Sequence, residues 1–187
     1  MYLRLRPSQW HGNEAVADTI REVVFGAEDG TVQNTALLAG MVGAGLSTSV
    51  IVIAGTVNAI AGVLSMSAGA YLSSKAERDV LLVSSESDPK GVSSPQRDAL
   101  VMAVAYGSGA LVPLVPFMVG IFAPHTAMAL AVVATALVLY GLGAGKALAS
   151  GQPIVRSGLE MLVLAAGAGL VGYLLGILAG TIFGIEA

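Results

Sequence analysis

The sequence contains no cysteine, which excludes disulfides, thiolate metal centres and haem attached through thioethers. Charge is almost as scarce. Only 11% of the 187 residues are Asp, Glu, Lys or Arg, where a soluble domain carries roughly 25%. Basic residues number nine and form no cluster, so a nucleic-acid partner is not expected. The opening stretch, "MYLRLRPSQWHGNEAVAD", has no apolar core followed by a small-residue cleavage site. It does not read as a signal peptide, and the first hydrophobic segment is expected to insert as a signal-anchor.

What the chain has instead is apolar length. It is 55% hydrophobic with a mean hydropathy of +0.80, and its 24 glycines suit close helix packing in a bilayer. A span needs about 20 mostly apolar residues, and five such segments can be placed: Ala17 to Leu46, Ser49 to Ser74, Ala99 to Phe122, Ala127 to Gly145 and Leu159 to Phe183. The expectation is an all-α, polytopic membrane protein of one membrane domain. "GLST" and "APHT" form tight turns, with Pro124 separating the third span from the fourth, and "KALASGQPIVRSG" links the last two. Lys75 to Asp98 reads as a loop, or a helix extension and linker, too short for a second core.

Arg4, Arg6, Arg21, Lys75, Arg78, Lys90, Arg97, Lys146 and Arg156 all fall on one side of this layout. Basic loops mark the cytoplasmic side, so the N-terminus is expected inside and the C-terminus outside. Compact loops and the lack of a leader favour a cell membrane over a vacuolar one.

Ionisable groups within a span are costly unless they meet water or a partner. At about 100° per residue, Asp18, Gly26, Asp29, Gln33 and Gly40 all fall within about 40° of Glu22, on one stripe of the first span. Glu28 points elsewhere, Arg21 being a candidate partner. On the second span Gly62, Ser65, Gly69 and Ser73 share the face of Asn58, with Met66 at its edge. Stripes of small residues also serve helix packing, and a lone Met is commonly filler. A carboxylate at depth followed one turn later by Gln33 is a better cation site than a packing surface. Carboxylate and amide oxygens with a thioether favour late first-row divalent metals over Mg²⁺ or Ca²⁺, and an uncompensated carboxylate in low dielectric takes up a proton. Asp29 therefore offers metal/proton exchange. Glu22 and Asp18 would form an electronegative mouth. Pro113 and Pro116 would bend the third span and free carbonyls. His11 and His125 lie outside the spans and are expected to be solvated. Glu77, Asp79, Glu86 and Asp88 in the long loop are expected to form a solvated face.

Three segments carry a resemblance: "GAEDGTVQNTALLAGMVGA", "AGVLSMSAGAYLSSKAERD" and "SGALVPLVPF". With five spans in this order, the chain from about Val16 onward resembles the vacuolar iron transporter family, which includes the nodulin-like iron transporters. The resemblance implies a homodimer whose first helices line a shared path. It also implies export of Fe²⁺, or related metals such as Mn²⁺, from the cytosol in exchange for protons, with no cofactor. Asp29 matches the aspartate of the family's DG motif and Met66 the methionine of its SM motif, both residues of the metal path. The chain departs from the family in two respects. An amide, Asn58, stands near where many members carry an acid. The segment from Lys75 to Asp98 is far shorter than the cytoplasmic metal-binding domain of the founding members, as in the short nodulin-like branch. The competing expectation is a non-transporting membrane scaffold whose polar stripes only pack helices. An intramembrane enzyme is not expected, because the spans hold no histidine, cysteine or Ser–Lys pair.

Overall fold

The computed structural model describes residues 14–84 and 94–184. These form five α-helices: α1 (Glu14–Gly43), α2 (Thr48–Ser84), α3 (Pro95–Met118), α4 (Pro124–Ser150) and α5 (Ile154–Phe183); short turns join α1 to α2, α3 to α4 and α4 to α5. Four of them, α2 to α5, are long and apolar enough to cross a bilayer. The first helix has the length, at 30 residues, but is too polar to qualify on composition.

The polarity of α1 follows from its place in the bundle. It packs against all four other helices, most extensively against α3 and α5. A helix that meets protein and not lipid can carry polar groups, provided they bond within the bundle. Thr31, Asn34, Leu38, Ala39 and Val42 of α1 are all buried. The α2–α5 helices turn large apolar side chains outward, among them Ile53, Leu64, Leu137, Val163 and Leu175, as lipid contact requires.

Close approach to α1 depends on small residues. A Cβ on Gly30 would run into the Tyr106 carbonyl of α3, and one on Gly26 would lie 2.9 Å from the Met102 sulfur. On the opposite side, Gly172 and Gly176 of α5 sit on the backbone of Ala36 and Gly40. Gly26 and Gly40 therefore face different helices, and the single stripe expected on α1 divides into an α3 seam and an α5 seam.

Helix boundaries differ from the expected spans for local reasons. The helix α2 runs ten residues past Ser74, because "KAERDVLLVS" holds good helix formers and no Gly or Pro. That adds about 15 Å of helix. Ser94 caps α3 by accepting from the Arg97 amide at 3.2 Å, with Pro95 in the first turn, so α3 starts and ends four residues before its expected bounds. Pro124 opens α4 as well as ending the turn, and α4 continues to Ser150, where Gly151 at φ 70° closes it. The residues 85–93, with Glu86 and Asp88, and His11 lie outside the described residues.

Candidate functional site

The junction of α1, α2 and α3 gathers most of the polar side chains at membrane depth. Its framework begins with Pro113. Having no N–H, this proline cannot bond the carbonyl of Gly109 one turn earlier. The Thr31 hydroxyl of α1 does so instead, donating to Gly109 O at 3.1 Å while also bonding Ala27 O at 2.6 Å. One residue on, Asn34 Nδ2 donates to Ala110 O at 2.7 Å. The Asn34 oxygen accepts from Asn58 Nδ2 of α2 at 3.2 Å. The carbonyl freed by Pro113 is thus used to bind α3 to α1, and Asn58 joins α2 to the same network.

Tyr106 of α3 is fully buried at the centre of this junction. Its hydroxyl donates to Gln33 Oε1 of α1. A Cβ on Gly62 of α2 would overlap the Tyr106 ring, so Gly62 makes room for it. Met66, half-buried, packs with Val63 against the cluster of Ala59, Tyr106 and Ala110. Asp29, also half-buried, stands one turn before Gln33 on α1. Gln33 of α1 and Gly62 and Met66 of α2 therefore meet at one tyrosine.

One side of this junction is open. Gln33 is exposed. A groove lined by Leu37 of α1 and by Val57, Asn58 and Ala61 of α2 runs beside it, and Val57 and Ile53 are 62% and 65% exposed there. With the Asn58 nitrogen engaged by Asn34, its oxygen is the atom it can offer to the groove. Glu28 is half-buried next to Asp29.

The remaining residues expected from sequence fall as follows. Glu22 is buried, and Arg21 Nη2 lies 3.2 Å from its carboxylate, which offsets the negative charge it would present at a mouth. The side chain of Asp18 lies outside the described residues. Gly69 has open space where a Cβ would stand, with none of the described residues against it. Pro113 is buried and Pro116 half-buried, and α3 runs through both. Among the described residues, no group of three or more His, Asp or Glu side chains is placed to hold a metal ion. Sequence reasoning missed Thr31, Asn34 and Tyr106. The spacing of Gly109 to Pro113 held a cue for Thr31, since a proline in a helix requires an outside donor one turn back.

The sequence profile of the VIT family matches residues 20–92 and 81–177. Curated relatives include vacuolar iron transporter homolog 5 of Oryza sativa subsp. japonica, 33% identical over 68% of this chain and 65% of that protein. Homolog 1 of the same plant is 30% identical over 80% of this chain and 68% of that protein. Vacuolar iron transporter homolog 3 of Arabidopsis thaliana is 31% identical over 79% of this chain and 76% of its own length. The match thus spans about two thirds of the first two relatives and three quarters of the third.

Proposed function

This chain belongs to the VIT family, and from that premise we propose that it is a transporter, not an enzyme, that moves Fe²⁺, with Mn²⁺ as a second cargo, out of the cytosol in exchange for protons. The observation that carries the reading is the set of polar side chains at the open edge of the α1–α2–α3 junction. Asn58 lines the groove, Gln33 is exposed one turn before Leu37 of its lining, Met66 supplies a thioether beside Tyr106, and Asp29, one turn before Gln33 on α1, would add its carboxylate to them. Packing explains Gly26 and Gly62, which make room for α3. It does not explain a carboxylate at position 29, which a bilayer disfavours by several kcal/mol unless a cation or proton neutralises it.

In this reading α1 is the fifth span, with the N-terminus inside and the C-terminus outside. Asp29 is the principal ligand, Met66 gives preference for softer divalent metals, and Glu28, Gln33 and Asn58 assist. One protomer brings few ligands to the groove. A second copy, packed across the open face, would bring another Asp29 and Met66 and enclose a path between two α1 helices. An ion held by oxygens and a thioether, without cysteine or histidine, leaves readily, as transport needs. The relatives' names point to a vacuolar membrane and give no support to the cell membrane expected from the loops. In either membrane the metal leaves the cytosol.

The test is Fe²⁺ uptake into proteoliposomes that enclose a pH indicator. An exchanger takes up metal while protons leave the lumen; a channel moves metal with no proton counterflow; a scaffold moves neither.

A further inference from the structure

Asn34 is a fully buried amide where α1 meets α2 and α3, next in sequence to Gln33. A buried amide is costly unless its polar atoms are met, and the way this one is met fixes its orientation. The Ala110 carbonyl of α3 can only accept, so it takes the Asn34 nitrogen, at 2.7 Å. Exchanging the two ends of the amide would set the Asn34 oxygen against that carbonyl, two acceptors with no proton between them. Thr31, one turn earlier, donates to Gly109 O at 3.1 Å and holds α1 in register with α3. The Asn34 oxygen is therefore committed to α2.

On α2, Gly55 allows the approach. A Cβ there would lie 2.8 Å from Leu114 Cδ1, 2.9 Å from Leu38 Cδ2 and 3.8 Å from the Asn34 oxygen. Asn58, one turn further along α2, meets that oxygen with its nitrogen at 3.2 Å. The orientation thus passes from one amide to the next. Because Asn34 presents an acceptor, Asn58 turns its donor inward and its own oxygen the other way. Asn58 lines the groove with Leu37, Val57 and Ala61. Among the described residues every buried side-chain oxygen and nitrogen has a hydrogen-bond partner, and none of these residues donates to the Asn58 oxygen. That oxygen therefore stands where the groove reaches it. An amide that turned its N–H groups to the groove would repel a cation; one that turns its oxygen there attracts it.

We propose that Asn34 is a positioning residue for the transported cation: it touches no metal itself, and by holding Asn58 it sets an oxygen and not a nitrogen at the groove. This role rests on the reading of the groove as the metal path. Thr31 and Asn34 both bind α3, but of the two Asn34 alone passes its orientation on to a residue of the groove.

The full chain in detergent is titrated with Fe²⁺ by anaerobic equilibrium dialysis, and the melting temperature of each variant is recorded beside it. Asn34→Leu keeps the branched shape and removes both hydrogen bonds. It is expected to weaken Fe²⁺ binding about tenfold, the lower end of the loss seen when a residue that orients a metal ligand is removed. Asn58→Leu is expected to weaken binding by a similar factor. The double variant is expected to bind no more weakly than the worse single one, because Asn34 acts through Asn58. In proteoliposomes the KM for Fe²⁺ is expected to rise by that factor while the maximal flux is kept, as loss of binding alone requires. If Asn34→Leu does not fold, Asn34→Ala, which loses the same two bonds, replaces it. A lower melting temperature with unchanged Fe²⁺ affinity reduces Asn34 to packing and overturns the proposal. Effects of Asn34 and Asn58 that multiply in the double variant overturn it too. A parent chain that binds no Fe²⁺ overturns the transport reading and this role with it. A parent that binds and transports Fe²⁺ while the Asn34 variant binds as tightly overturns this role alone.

Discussion

Tyr106 shows how the junction combines packing with chemistry at the level of single side chains. Its ring occupies the space left by Gly62, its hydroxyl takes Gln33, and Met66 closes over its cluster. Asp29, one turn before Gln33 on α1, carries a formal negative charge. Met66 packs here as core, so its contribution as filler and as sulfur donor must be separated by experiment. Met66→Leu keeps volume and apolarity, a swap that usually costs less than about 1.5 kcal/mol. Its melting temperature in detergent is therefore expected within a few degrees of the parent. Its Fe²⁺ flux in proteoliposomes is expected to fall about tenfold. Unchanged flux would reduce Met66 to packing.

At the scale of helices, α3 is held to α1 through the defect that Pro113 introduces. Thr31 supplies the hydrogen bond that the proline cannot. Thr31→Val removes it and is expected to destabilise the bundle by about 1 kcal/mol, the range measured for interhelical hydrogen bonds in membranes. Pro113→Ala restores an amide facing Gly109 O, so in that background Thr31→Val is expected to have little further effect. A double-mutant cycle on reversible unfolding in mild detergent checks this; strict additivity would contradict it. The same pair marks how far the sequence could be read. Helix number and order were legible, because apolar length and turn residues are local properties. Asp29 and Gln33 were legible as one face, because 3.6-residue periodicity is local too. Which helix that face meets was not. Gly26 and Gly40 share a stripe on α1 yet pack on α3 and α5. The partners of Thr31 and Asn34 lie more than 70 positions away. The far end of α2 was expected as loop or extension, since its charges resemble a linker while its propensities are those of a helix.

The whole molecule places its most polar helix among four apolar ones and leaves one side of it uncovered beside α2. If two copies meet there, residues at the groove come together while residues on α4 stay apart. The chain has no native cysteine, so single-cysteine variants report this directly. Val57→Cys, at the groove, is expected to give an oxidised dimer on a non-reducing gel. Leu137→Cys, 71% exposed on α4, is expected to give little; the reverse pattern would move the interface to α4. Beneath all of this lies the claim that the carboxylate at position 29 is carried within the bundle because a travelling cation neutralises it. The most direct measurement is Fe²⁺ flux through Asp29→Asn reconstituted at the same density as the parent and shown to be folded. The account predicts flux at the level of protein-free liposomes; flux at the parental rate would contradict it.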